Sequence, residues 1–210
     1  MDLDLDRLVG RARSLVAPGR RRILGIAGPP GAGKSTLAGE LVARLDGQAV
    51  LVPMDGFHLA GRELRRLGRA ERKGAPDTFD AAGFAALLGR LRSPEPGTVI
   101  YAPDFDRSLE EAVAGSIPVD PEVPLVVTEG NYLLHDEGAW AGVADLVDEI
   151  WYVQADDEER VRGLVERHVR HGKPRDRAER WVRESDEADA HLVAAGRMRA
   201  DLVITRALAG

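Results

Sequence analysis

The segment that most constrains this chain is Gly28-Pro-Pro-Gly-Ala-Gly-Lys-Ser35. An apolar run, RILGIAG (22–28), leads into it, and KSTLAGELVARL (34–45) leaves it with Leu37, Leu41, Val42 and Leu45 on one helical face. A strand that breaks at glycine and continues as a helix matches G-x-x-x-x-G-K-[ST]. Its backbone N–H groups converge at a helix start, where phosphate oxygens are favoured. Gly28, Pro29, Pro30, Gly31, Ala32, Gly33, Lys34, Ser35 and Thr36 are therefore expected to hold a nucleoside triphosphate. Lys34 would reach the β- and γ-phosphates and Ser35 would hold Mg²⁺.

The remaining pattern alternates strands with helices. QAVLVPM (48–54), GTVIYAP (97–103), PLVVTEG (124–130), LVDEIWYV (146–153) and ADLVITR (200–206) read as strands. Helices are expected over about 3–17, ended by Pro18-Gly19, over 80–93 with Asp80 as N-cap, over 156–172, and from about 175 to 195. An arginine-rich amphipathic stretch fills 59–73, and the loop DFDRSLEEAVAGSIPVD separates two strands. The pattern predicts an α/β fold, a P-loop NTPase three-layer sandwich with a mostly parallel five-stranded core sheet. Ligands would bind at the carboxyl ends of its strands, and a helical lid would span about 156–193. At 210 residues, 1–210 is expected to be one domain.

Composition removes several function classes. The net charge of −6, with no basic stripe, argues against a nucleic-acid partner. The absence of cysteine removes disulfides, thiolate metal sites and thiol nucleophiles. No apolar run approaches the ~20 residues of a membrane span, and the acid-rich start is unlike a secretory signal, so a cytoplasmic protein is expected. Arginine dominates the basic residues, and the only lysines are Lys34, Lys73 and Lys173. A lysine kept against that background marks either a position that rejects arginine or simple drift.

A triphosphate site does not define a reaction. The N-K-x-D guanine motif is absent, since the single asparagine, Asn131, precedes Tyr132. Nothing matches the L-S-G-G-Q signature of transporter ATPases, and the chain is short for a motor. A small-molecule kinase survives best, and it needs an acid facing the acceptor hydroxyl and carboxylates near Mg²⁺. Asp55 follows the second strand and Glu129 follows PLVVT, both at strand ends that face the phosphates. Alone, Asp55 reads equally well as an Asp-Gly turn. For Glu129 the alternative is a solvent-facing strand end.

The ordered set GPPGAGKST, VPMDGFH, RKGAPDTFD, DFDRSLEEAVAGSIPV and VVTEGNYLL resembles the P-loop kinases of the phosphoribulokinase, uridine kinase and pantothenate kinase group. It is most similar to members labelled nucleoside/nucleotide kinase-like or fructose transport system kinase-like. The resemblance covers about 20–205. It implies that Asp55 is the catalytic base and touches the metal shell, and that Glu129 completes the Mg²⁺ environment with Ser35. It places Lys73 on the substrate side and Tyr101 in the acceptor pocket, with Asn131 facing the acceptor. His58 is read as a substrate donor or a helix cap. Arg107 is read as a substrate ligand or a salt-bridge partner of Glu110 or Glu111. The chain departs from uridine kinases where they carry a pyrimidine-reading histidine, since APDFDRS offers Asp104 and Asp106 instead. Two carboxylates near the acceptor would suit a polyhydroxylated or cationic substrate better than an anionic one.

ERHVRHGK resembles the pantothenate kinase lid, which makes Arg167 the lid arginine acting on the transferred group, with Arg170 and Lys173 as weaker candidates. Arg160 and the other lid arginines read as a solvated face of i,i+4 ion pairs. Arg199 or Arg197, ahead of the last strand, is expected at the adenine. Together these features predict an ATP- and Mg²⁺-dependent kinase acting on a hydroxyl of a small metabolite. The alternative is a regulatory P-loop module that binds ATP without transfer. Relatives of this kind are often dimers, so a homodimer is possible.

Overall fold

The computed structural model describes residues 4–17 and 19–205. In chain order these form α1 (Leu5–Leu15), β1 (Arg22–Ala27), α2 (Lys34–Arg44), β2 (Ala49–Pro53), α3 (Gly61–Arg66), α4 (Ala81–Arg92), β3 (Ile100–Asp106) and β4 (Glu111–Val119). Then follow β5 (Leu125–Gly130), β6 (Glu149–Gln154), α5 (Asp157–Arg170), α6 (Arg175–Trp181), α7 (Glu187–Ala194) and β7 (Leu202–Thr205). Leu3, Pro18 and Arg206, expected at element ends, lie outside the described residues.

Five strands pair in parallel in the order β2-β5-β1-β6-β7. β1 sits in the middle, between β5 and β6, so the loop that follows it opens at the centre of the sheet's carboxyl edge. Burial on both faces explains why β1 and β5 are almost wholly apolar. Alternate residues then serve different cores. Ile23, Val126 and Tyr152 pack with Phe84, Leu87 and Leu88 of α4. Leu24, Ile26, Val127 and Trp151 pack with Leu8 and Ala12 of α1 and Leu37 and Leu41 of α2. The three-layer sandwich is thus the direct result of period-two strands buried on both sides.

The strand expected at 97–103 does not join this sheet. β3 pairs only with β4, antiparallel, and the stretch expected as loop is largely β4 and the turn before it. Its burial gives the reason: Ile100 and Ala102 are buried while Tyr101 is exposed, the alternation of a one-sided hairpin rather than a doubly covered strand. The register shifts between Ala102 and Asp104, around Pro103.

The lid region is helical as expected. Asp156 caps α5 by accepting from the Glu159 N–H. α6 runs through a π-helical turn, Val182–Asp186, into α7. Leu164, Val165, Ala178 and Val182 form a small core of their own between α5 and this second helix. No helix of the described residues is long and apolar enough to cross a membrane.

Candidate active site

The glycine-rich loop is built for close backbone approach. Gly28 has φ +149°, and a Cβ there would lie 2.3 Å from the Val153 carbonyl oxygen, so no side chain fits between β1 and β6. Gly33 takes the left-handed φ of 86° that starts α2. Lys34 is buried and donates from Nζ to the Pro29 carbonyl (3.0 Å) and to Asn131 Oδ1 (2.7 Å). Desolvation lowers its pKa to about 8, with Glu129 and Asp55 opposing that shift. An ammonium stripped of water and aimed at a glycine cradle is the arrangement that a polyphosphate anion would satisfy.

Ser35 Oγ donates to Glu129 Oε1 at 2.8 Å, joining the start of α2 to the end of β5. Burial, and then the Asp55 charge, raise the Glu129 pKa. A divalent cation beside these oxygens would relieve that repulsion. No cluster of three His, Cys, Asp or Glu side chains suited to a metal exists among the described residues. That donor set fits Mg²⁺, which takes one or two protein oxygens and leaves the rest to phosphates and water. The residues therefore fit both an ATP triphosphate and Mg²⁺.

Asp55 stands on a single 3-10 turn, Met54–Phe57, directly after β2. The next residue must be glycine because a Cβ on Gly56 would fall 2.4 Å from the Pro103 carbonyl oxygen of the hairpin. That close approach brings Arg107 to Asp55, with Nη2 3.5 Å from Oδ2. Arg107 pairs with neither glutamate expected for it. Glu111 instead accepts from the Gly61 N–H, and the Glu110 carbonyl accepts from Lys73 Nζ.

His58 donates from Nδ1 to the Asp55 carbonyl oxygen at 2.8 Å, since that oxygen only accepts. Its ring lies 4.0 Å from that of Phe79 and 5.0 Å from that of Phe105, and burial pushes its pKa down. It does not cap α3, whose N-cap is Ala60.

A cavity of about 280 Å³ runs from Lys34, Asp55 and Glu129 past His58, Lys73 and Asn131 to the lid. Arg167 lines it and also the larger cleft, about 1080 Å³, between the glycine loop and α5. Arg167 forms no salt bridge among the described residues, and burial lowers its pKa while Asp186 is the largest opposing charge.

Two expected site residues stand elsewhere. Tyr101 is exposed on the outer face of β3 and does not line the cavity, because hairpin alternation turns Ala102 inward instead. Arg199 donates to Asp136 Oδ2 and the Leu134 carbonyl and lines neither cavity. Asp104 and Asp106 are also spent locally: they accept from the Phe105 N–H and from the Ser108 and Leu109 N–H groups of their own turn.

Other residues take their place. Phe105 supplies the wall where a tyrosine was expected. Asp186 accepts from His168 Nε2 at 2.8 Å, and Asp189 lies beside Tyr132, both buried in the lid wall. In sequence they look like charges of a solvated helix, and only the π turn rotates them inward, with no residue signature to announce it. Arg160, read as solvated, is buried and holds Asp157 (3.0 Å), Glu187 (2.6 Å) and the Pro30 carbonyl (3.3 Å).

A parallel sheet with a glycine cradle, a buried lysine and a serine–carboxylate pair at its carboxyl edge defines a P-loop kinase architecture. Residues 23–208 match the model of the phosphoribulokinase / uridine kinase family, and the chain belongs to that family. It is 35% identical over 173 residues to a provisionally named uridine kinase of Schizosaccharomyces pombe, covering 78% of this chain and 73% of that one. It is 32% identical over 198 residues to the uncharacterized protein YggC of Escherichia coli, covering 92% and 81%. Among solved structures, a provisionally named fructose transport system kinase of Silicibacter superposes with a TM-score of 0.87 at 36% identity, covering 96% of this chain and 98% of that one. Family membership supports a phosphotransferase acting on a small metabolite.

Proposed function

We propose that the protein transfers a phosphoryl group from ATP, with Mg²⁺, to a hydroxyl of a small metabolite such as a sugar, nucleoside or pantothenate-like alcohol. The observation that carries this reading is the convergence of Lys34, Asp55 and Glu129 on one small cavity beside the glycine loop. Mg²⁺-ATP supplies the transferable phosphoryl group and the charge neutralisation of its oxygens. The chain supplies position and proton handling. Gly28 to Gly33 and Lys34 bind the triphosphate, and Ser35 and Glu129 hold the metal's protein side. Asp55 orients the acceptor hydroxyl and takes its proton as the new P–O bond forms. Arg107 keeps the Asp55 carboxylate in place, and Arg167 contributes positive charge and excludes water from the lid side.

The names of similar proteins point to different acceptors, a nucleoside for one and a sugar for another. The test is ADP release with mass detection of product, over sugars, polyols, nucleosides and pantothenate-like acids. A phosphorylated product from one class is expected. ATP binding without any product would favour a regulatory module.

A further inference from the structure

The three lysines of this chain, among 29 lysine and arginine residues, all line the one cavity that holds Asp55. Lys34 belongs to the phosphate end. The other two come from separate elements: Lys73 precedes the turn Pro76–Thr78, and Lys173 lies between α5 and α6. Each ammonium is seated against an aromatic ring, Lys73 at 4.7 Å from the Phe105 centroid and Lys173 at 5.1 Å from the Trp181 centroid. Neither is closely matched by a carboxylate. Lys73 donates to the Glu110 carbonyl at 2.6 Å, while the mostly exposed Glu110 carboxylate is 3.9 Å away. Lys173 lies 3.5 Å from His168 Nδ1 and forms no salt bridge among the described residues.

The acids on the same walls are engaged otherwise. Asp186 has His168 at 2.8 Å. Asp189 lies beside the Tyr132 hydroxyl and is buried in the lid wall. The carboxylates expected near the acceptor, Asp104 and Asp106, do not line this cavity and bond within their own turn, which removes the sequence argument against an anionic substrate. Lysine in place of arginine fits this geometry: a guanidinium fork would be drawn bidentately onto Asp186 or Asp189, whereas an ammonium remains a compact point charge. At about 280 Å³ the cavity is just below the roughly 300–1,000 Å³ range of ordinary small-molecule sites, so its occupant is small.

We propose that the phosphate acceptor is a small hydroxy compound carrying its own anionic group, a carboxylate or a phosphate, and that Lys73 and Lys173 bind that group while Asp55 faces the hydroxyl. This rests on the phosphotransferase reading above.

Matched pairs test it with the full chain, Mg²⁺ and ATP: glycerol against glycerate and ribitol against ribonate for the carboxylate arm, ribose against ribose 5-phosphate for the phosphate arm. A metabolite extract with mass detection of product covers acceptors outside these pairs. The anionic member is expected to exceed its neutral partner in kcat/KM by roughly tenfold or more. Lys73→Gln and Lys173→Gln should each raise its KM about tenfold with KM for ATP within about twofold, and Lys173→Arg, its fork drawn onto the lid acids, should not restore the loss. The arm that responds identifies carboxylate or phosphate. Neutral members turned over equally well, an extract product with no charge beyond the added phosphoryl group, or variants that weaken neutral and anionic acceptors alike would overturn the proposal and leave the kinase intact. No product from pairs or extract, with a fluorescent ATP analogue still bound, would overturn the phosphotransferase reading beneath it.

Discussion

Arg107 Nη2 stands 3.5 Å from Asp55 Oδ2, so the turn of the β3–β4 hairpin reaches back over the sheet to the carboxylate that ends β2. Both side chains are partly exposed, and a pair of that kind contributes no more than about 1 kcal/mol to folding. In the proposed mechanism its value lies in position: the guanidinium would fix Asp55 and add positive charge where the phosphoryl group passes.

Arg107→Gln is therefore expected to fold with a melting temperature near that of the parent while kcat falls roughly 10- to 100-fold. Steady-state kinetics beside a thermal melt checks this. A large loss of stability with unchanged kcat would assign the pair to the fold instead.

Lys34 predicts a pH dependence with opposed signs. Burial lowers its folded-state pKa to about 8 from the 10.5 of a free lysine. As pH rises through about 8 the free enzyme loses this ammonium, so kcat/KM for ATP should fall. Between 8 and 10.5 the unfolded chain binds the proton and the folded chain does not, so the Lys34 contribution to stability rises with pH in that window. A pH profile of kcat/KM for ATP reads the first effect, and a profile flat well above pH 8 would contradict it.

Much of this was legible in the chain itself. The glycine loop, the parallel sheet, the Asp80 cap and the lid helices follow from local signals: turn glycines, buried apolar runs, and acids in a first turn. Asp55, Glu129 and Lys73 sit in the cavity as their motifs imply. What local pattern does not contain is orientation across long sequence separations. Tyr101 and Phe105 occupy the same strand, and only the bulge around Pro103 decides which faces the cavity. Asp186 and Asp189 are hidden by the same kind of ambiguity, since a π turn changes which helix face is inward. In sequence Arg160 reads as solvated because its neighbours are charged, although its guanidinium is the buried link between loop and lid.

That link yields a prediction of its own. Arg160 bonds the Pro30 carbonyl of the glycine loop and the Glu187 carboxylate of α7. Arg160→Leu leaves both without their partner and is expected to cost about 2 kcal/mol in urea denaturation. KM for ATP should rise several-fold because the loop loses its brace, whereas Arg180→Leu, exposed on α6 and lining neither cavity, should change neither. Equal effects of the two substitutions would remove Arg160 from its positioning role.

The central claim is that Asp55 performs the chemistry. Asp55→Asn keeps the shape and hydrogen-bonding reach of the side chain but removes its basicity. Single-turnover phosphoryl transfer by Asp55→Asn, measured beside the affinity of the same variant for a fluorescent ATP analogue, tests it most directly. The account predicts transfer reduced by roughly 10²–10⁴-fold with nucleotide affinity within about threefold of the parent. Near-parental transfer would contradict it.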